Sequence, residues 1–179
     1  MKVAPIKPDF LLRDVEELTE HFEELWYTLG IRGILYDLER TLVPIGCREL
    51  PEARMYFLRF IASKGFVQGL CTNSSTYYGH ASIAEVFGNR VAQPNELHAI
   101  RKKPDASIFR RGISLLGLRR DEILMVGDKL LFDTSPAAAL GMKTALVNPM
   151  PGKDVWAEYL AFRRTRERIA MRRVGIRRP

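Results

Sequence analysis

Short apolar runs, separated by segments of helical periodicity, constrain the fold more than any other feature of this sequence. The runs read IRGILY, FVQGLC, EILMVG and KTALVN, with a shorter RVA between the second and the third. None of them alternates apolar with polar residues, a pattern typical of strands that are buried on both faces of a parallel sheet. Helices between consecutive strands can cover both faces of such a sheet. The sequence therefore predicts a three-layer, Rossmann-like α/β domain with a central parallel sheet.

Segments with helical periodicity lie between these runs. After an Asp14-x-x-Glu17 start signal, apolar residues recur at helical spacing and predict an amphipathic N-terminal helix over about residues 14–29. Further helices are predicted over about 51–64, 81–87, 104–116 and 135–140. A chain of 179 residues suits one domain over residues 1–150, followed by a basic helical tail over 151–179 whose helix starts near Asp154.

Positive charge is concentrated in this tail. The chain has a formal net charge of +7 at pH 7, and the residues from 151 onward contribute +6 of it. Such a tail suits an anionic partner surface, either phospholipid headgroups or a nucleic acid, and a solvated helix face is the alternative. Phe162, Ile169 and Val174 interleave with the arginines. This pattern permits either an amphipathic helix at a membrane surface or docking of its apolar face onto the domain.

Several classes of protein are excluded by what the sequence lacks. The N-terminal segment is interrupted by Pro5 and Pro8 and has no apolar region of signal-peptide length. No apolar run approaches the roughly 20 residues needed to span a bilayer. Cys47 and Cys71 lack metal-ligand spacing. We therefore expect a cytoplasmic protein with at most a peripheral membrane contact, and no pattern indicates its oligomeric state.

Polar residues follow the predicted strands at the point where each strand ends. They are Asp37, Thr72, Asn73 and Asp128. Because ligands bind beyond the carboxyl ends of parallel strands, we expect these side chains to converge on one site. Lys103, at the start of a helix, and Asp133 can reach the same place. The alternative interpretation of Lys103 is that it belongs to a run of basic residues on the surface. Thr72 and Asn73, at the end of the second strand, could instead form a simple turn.

These residue types suit phosphoryl chemistry. Two carboxylates, Asp37 and Asp128, can hold Mg²⁺, which prefers oxygen ligands. A carboxylate can also attack phosphorus and form an aspartyl-phosphate, which divides one difficult hydrolysis into two easier steps. The ammonium of Lys103 can neutralise charge during this attack, and the hydroxyl of Thr72 can bind phosphoryl oxygens. The predicted reaction is hydrolysis of a phosphomonoester.

Four motifs occur in order along the chain: Asp37-Leu38-Glu39-Arg40-Thr41, Thr72, Lys103-Pro104, and Gly127-Asp128 followed by Asp133. This ordered set resembles the haloacid dehalogenase superfamily of phosphatases. More narrowly, the chain looks like the subclass IIIA, YqeG-like branch, which includes phosphatidylglycerophosphate phosphatases. This finer resemblance lies in the helix before the first motif, the stretch VGDKLLFDTSPAAALGMKTALVNPM and the basic tail.

The resemblance implies how these residues would hold Mg²⁺ and act on a phosphorylated substrate. Asp37 would be both the nucleophile and a metal ligand, with Asp128 and the backbone carbonyl of Glu39 as further ligands. Asp133 would hold metal-bound water or orient Lys103. The ammonium of Lys103 would neutralise the phosphoryl group. The phosphoryl group and the rest of the substrate would be bound by Thr72 and Asn73.

Glu39 departs from the family pattern, which has Asp at this position and often Asn in place of Arg40. The acid here would protonate the leaving oxygen and then activate water. Glu and Asp have similar intrinsic pKa values, about 4.3 and 3.9. The extra methylene, however, moves the carboxyl by roughly 1 Å, which can cost on the order of 10²-fold in rate. Glu39 therefore separates two hypotheses: a working phosphatase, and a weakened domain that binds an anionic partner through its basic tail.

Access to the predicted site depends on the loops around it. The loop between Asp37 and the helix near Pro51 is short, and predicted elements fill most of the chain between Thr72 and Lys103. We therefore expect no sizeable cap domain. An open site admits a bulky substrate, such as the headgroup of a phospholipid precursor.

Overall fold

In this computed structural model, residues 4–45, 47, 49–74, 81–150 and 157–176 are described, with the side chains of 157–164 left out. Within these residues, six parallel strands form one sheet in the order β1-β6-β5-β2-β3-β4. The strands are β1 Phe10–Leu12, β2 Gly33–Tyr36, β3 Val67–Cys71, β4 Val91–Ala92, β5 Ile123–Gly127 and β6 Lys143–Val147. The predicted α/β class with a central parallel sheet is confirmed.

Helices pack on both faces of this sheet. They are α1 Glu52–Ser63, α2 Ala81–Phe87, α3 Ala106–Leu116, α4 Ser135–Ala139 and α5 Ala157–Arg173. Successive residues of β2 face opposite layers: Ile34 and Tyr36 belong to the core under α1 and α2, whereas Leu35 belongs to the core under α3. This two-sided burial explains why β2 reads as a continuous apolar run.

The N-terminal segment differs from its prediction. In place of one α-helix, Val15–Thr19 forms a 3₁₀ helix and Glu24–Thr28 forms a π-helical turn. A 3₁₀ turn is tighter and a π turn wider than an α turn. This combination brings Val15, Leu18 and Leu25 into the core, so the predicted apolar face is correct although the helix is not continuous. The sequence also did not predict β1, which pairs with β6 at the sheet edge.

The tail helix α5 docks on the domain. Ala170 and Ile176 are buried against Leu130 and Leu146, while Ile169 stays about half exposed. The sequence permitted either a helix at a membrane surface or docking of the tail onto the domain. For residues 167–176 the structure shows docking. Phe162 and the predicted helix start near Asp154 lie outside the described side chains and residues. In the part of the chain that is described, no helix has the length and apolar character needed to cross a membrane.

Candidate active site

Asp37 directly follows the central strand β2 and lies at the carboxyl edge of the sheet. The Asp37 N–H continues the β-ladder by donating to the Val126 carbonyl of β5 at 2.8 Å. On the other side of β2, the Thr72 N–H donates to the Ala92 carbonyl at 3.0 Å. Asp128 follows the last residue of β5. The parallel register therefore brings these strand ends to one edge, as predicted.

Lys103 is buried between two of the predicted carboxylates. Its Nζ donates to Asp37 Oδ1 at 2.5 Å and to Asp133 Oδ1 at 2.6 Å. Burial by itself lowers the pKa of Lys103, but Asp133 and Asp37 outweigh this effect and raise it above its ordinary value. The ammonium therefore stays charged at neutral pH. The neighbouring Lys102 is exposed. The alternative interpretation, a run of basic residues on the surface, therefore holds for Lys102 and not for Lys103.

The side chain of Asn73 contacts the backbone of Lys103. Asn73 Oδ1 accepts the Lys103 N–H at 2.6 Å, and Asn73 Nδ2 donates to the Lys103 carbonyl at 3.2 Å. Both hydrogen bonds fix the position of Lys103. The structure thus gives Asn73 a contact that the sequence did not predict, since its amide was expected to face substrate.

Thr72 is buried at the end of β3, and its hydroxyl accepts the Ser74 N–H at 3.1 Å. This is the geometry of a turn stabilised by a threonine side chain. Thr72 therefore lies at the carboxyl edge of the sheet, as predicted. It also stabilises a turn, which was the alternative interpretation of this strand end.

Asp133 lies on a π-helical turn, Leu130–Thr134, that follows Asp128. Besides its contact with Lys103, its carboxylate accepts the Lys129 N–H at 3.0 Å. A Cβ atom on Gly127 would lie 2.6 Å from Asp133 Cγ, closer than such atoms approach in proteins. The glycine of the Gly-Asp motif is thus needed because Asp133 occupies the space of its missing side chain.

Two cations lie beside Asp128. Lys129 Nζ donates to Asp128 Oδ1 at 3.0 Å, and Arg40 Nε lies 3.4 Å from Asp128 Oδ2. The backbone of Arg40 is left-handed, with φ of 70°, which is uncommon for a residue other than glycine. Sequence reasoning assigned no role to Lys129, although its position directly after Asp128 was the available signal.

The carboxylates suit a hard divalent cation. One oxygen from each of Asp37, Asp128 and Asp133 lies within 4.8 Å of the others, and all three side chains are buried. Mg²⁺ prefers oxygen ligands of this kind and is commonly held by a few carboxylates. The donor set therefore fits the predicted cofactor.

Glu39 follows Asp37 by two residues and is partly buried. Burial raises its pKa, and the nearby carboxylate of Asp37 raises it further, while Lys129 and Lys103 oppose the shift. The charges of the predicted site therefore act on the Glu39 carboxyl.

Several known proteins are similar to this chain. A glyceraldehyde 3-phosphate phosphatase from Pyrococcus furiosus is 26% identical over 154 residues, which cover 78% of this chain. The chain spans only 55% of that relative's length. A solved structure from Listeria monocytogenes serotype 4b, described as an uncharacterized protein, is 18% identical with a TM-score of 0.49, covering 75% of this chain and 99% of its own. Another uncharacterized protein, from Corynebacterium glutamicum, is 19% identical with a TM-score of 0.48, covering 74% of this chain and 94% of its own.

A family model described as haloacid dehalogenase-like hydrolase matches residues 6–141. The matched range contains the lysine and all three buried carboxylates of the site, as well as five of the six strands. It ends before β6 and α5. Because the match spans most of the chain, this protein belongs to the haloacid dehalogenase-like hydrolase family.

Proposed function

We propose that this protein is a Mg²⁺-dependent phosphatase that hydrolyses phosphomonoesters through an aspartyl-phosphate on Asp37. One observation carries the proposal: the Lys103 ammonium is buried in contact with Asp37 and Asp133, and a carboxylate oxygen of Asp128 lies within 4.8 Å of an oxygen of each of these two acids. Burying charged groups is costly unless they are paired. A cluster of this kind at the ligand-binding edge of a parallel sheet is typical of a functional site.

In the proposed reaction, the Asp37 carboxylate attacks phosphorus and the bond to the leaving oxygen breaks. Lys103 is hydrogen-bonded to Asp37, so its positive charge lies beside the phosphoryl group and offsets repulsion between the two anions. Mg²⁺, held by Asp37, Asp128 and Asp133, would supply further charge neutralisation on the phosphoryl oxygens. We assign binding of the phosphoryl group to Thr72, and positioning of Lys103 to Asn73 and Asp133.

We assign the proton transfers to Glu39. A carboxyl with a raised pKa keeps its proton closer to neutral pH, which suits a general acid. Glu39 would protonate the leaving oxygen and, once ionised, take a proton from the water that hydrolyses the aspartyl-phosphate. Its backbone carbonyl is the additional metal ligand implied by the family resemblance.

The first experiment measures hydrolysis of an aryl phosphate by the purified chain. Activity should require Mg²⁺, disappear with EDTA and disappear in Asp37→Asn. The matched control is Asp121→Asn, since Asp121 is an exposed acid that precedes β5, whereas the site lies beyond the opposite end of this strand. An Asp37→Asn variant that retains the wild-type rate would exclude the aspartyl-phosphate mechanism.

A second experiment separates a working site from a weakened one. In Glu39→Asp, the shorter side chain should lower kcat on the order of 10²-fold, because the carboxyl no longer reaches the leaving oxygen. A rise in kcat would instead mean that Glu39 impairs the site. That result would favour a weakened domain that binds its partner without efficient turnover.

Two similarities to other proteins suggest a substrate class. The Pyrococcus furiosus relative is named for glyceraldehyde 3-phosphate. The finer resemblance to subclass IIIA suggests a phospholipid precursor such as phosphatidylglycerophosphate. Comparison of kcat/KM for both compounds tests the choice, with the lipid presented in mixed micelles. A clear preference for the small soluble phosphate would contradict the lipid assignment.

The tail supports a contact with an anionic surface. Among the described side chains of α5, four arginines are exposed: Arg166, Arg168, Arg172 and Arg173. We propose that they bind anionic phospholipid headgroups peripherally. Sedimentation with phosphatidylglycerol vesicles should show binding that weakens with salt and with Arg172→Glu/Arg173→Glu, and vesicles of phosphatidylcholine are the control. Competition by RNA at equal phosphate concentration would identify nucleic acid as the preferred partner instead.

A further inference from the structure

Glu167 is a buried acid in the Arg-rich helix α5, outside the range that matches the family. Its two carboxylate oxygens accept the Leu131 N–H at 3.1 and 3.3 Å. Leu131 is the second residue of the π-helical turn Leu130–Thr134 that carries Asp133. One hydrogen-bonding group therefore connects the tail helix with the segment that presents a carboxylate to the candidate active site.

The position of Glu167 matches the needs of this turn. The N–H groups at the start of a helical segment have no partner within it, and a carboxylate is a favourable acceptor for them. Docking of α5 does not itself require an acid, because Ala170 and Ile176 already pack against Leu130 and Leu146. Burial of Glu167 carries a desolvation cost that an apolar side chain would avoid.

The turn is held from two sides. On one side, Glu167 binds the Leu131 N–H; on the other, Asp133 binds the Lys103 ammonium and the Lys129 N–H. A shift of the turn would therefore move Asp133, and with it the ammonium that contacts Asp37. Displacements of about 1 Å at such groups can lower a rate on the order of 10²-fold.

We propose that Glu167 is a positioning residue, which fixes the turn Leu130–Thr134 so that Asp133 holds Lys103 against Asp37. This inference rests on the proposed phosphatase function for its kinetic consequence. Its structural consequence, that the turn loosens when the acceptor is removed, can be measured without turnover.

The test compares Glu167→Leu, which keeps the apolar docking but removes the acceptor, with Glu167→Gln, which keeps an acceptor oxygen. Ile169→Ala is the matched control, because Ile169 lies on the same helix and is exposed. We expect kcat to fall about tenfold in Glu167→Leu, with KM changed by no more than about twofold. Glu167→Gln should stay within about threefold of the wild type, and Ile169→Ala should match the wild type.

Two further measurements use the same full-length variants. Calorimetric titration with Mg²⁺ should show weaker binding to Glu167→Leu than to the other chains. Hydrogen exchange should be faster over residues 130–134 in this variant and unchanged over β3. If Glu167→Leu does not fold, Glu167→Ala takes its place with the same expected results.

A lower melting temperature for Glu167→Leu, with kcat, Mg²⁺ affinity and exchange of the turn unchanged, would overturn the proposal, because it would leave Glu167 a purely structural role. Equal losses in Glu167→Gln and Glu167→Leu would also overturn it. If the wild type shows no phosphatase activity, the proposed function fails, while Mg²⁺ binding and hydrogen exchange still decide whether Glu167 positions the turn.

Discussion

Replacement of Lys103 by Met would remove the central charge of the candidate site. The side chain is about 3% exposed, and its loss would leave Asp37 and Asp133, both also buried, without their shared cation. Breaking a buried ion pair by removing one partner typically costs about 3–5 kcal/mol, because the remaining charge stays buried and uncompensated. In a domain of this size each kcal/mol lowers Tm by about 2–4 °C, so we expect a fall of about 6–20 °C.

Thermal denaturation followed by circular dichroism, with and without Mg²⁺, measures this effect. Mg²⁺ should restore part of the lost stability, since a cation bound among the same carboxylates replaces the missing charge. Phosphatase activity should not return, because the ammonium beside Asp37 is still absent. The matched control is Lys102→Met, an exposed neighbour whose Tm should stay within about 2 °C of the wild type. Equal Tm values for Lys103→Met and Lys102→Met would refute the buried ion pair.

Three further predictions concern the surroundings of the site. In Gly127→Ala, the new Cβ would displace the Asp133 carboxylate, so we expect a lower kcat and a loss of about 1–3 kcal/mol in stability, measured by turnover and denaturant unfolding. In Asn73→Ala, loss of both hydrogen bonds to the Lys103 backbone should lower kcat about tenfold; an unchanged kcat would show that these bonds do not position the lysine. Burial raises the pKa of Glu167 from its usual 4.5 to about 7, so the folded state binds more protons than the unfolded state between these values. The contribution of Glu167 to the free energy of unfolding should be fully present below about pH 4.5. It should be lost as pH rises through about 7, which lowers the free energy of unfolding by about 3 kcal/mol. Urea unfolding at pH 5 and pH 8 tests the sign, and Glu167→Gln should remove this part of the pH dependence.

The strands and the site edge were predictable because their signals are local. A strand buried on both faces must be apolar at consecutive positions, as β2 and β5 are, and the first polar residue then marks its end. In a parallel sheet these ends share one edge, so Asp37 and Asp128 could be assigned to the same edge from the sequence, and the pairing of β2 with β5 makes them neighbours.

Other parts of the fold depend on packing and gave weaker signals. The three residues of β1 are too few for a recognisable pattern, and pairing with β6 makes them a strand. The N-terminal apolar spacing fits an α-helix, but packing of Leu18 and Leu25 is compatible with a 3₁₀ and a π turn. Periodicity indicates which face is buried more reliably than the type of helix.

The sequence by itself determined the fold class, the positions of the strand-end carboxylates and their suitability for Mg²⁺ and phosphoryl chemistry. Only the tertiary structure decided that Lys103 is buried while Lys102 is exposed, that Asn73 binds the Lys103 backbone, and that Glu167 caps the turn that carries Asp133. The physical reason is separation along the chain. Local patterns specify which face or end of an element is polar, whereas these contacts join groups 30 to 66 residues apart. Which of them meet depends on strand order and helix packing.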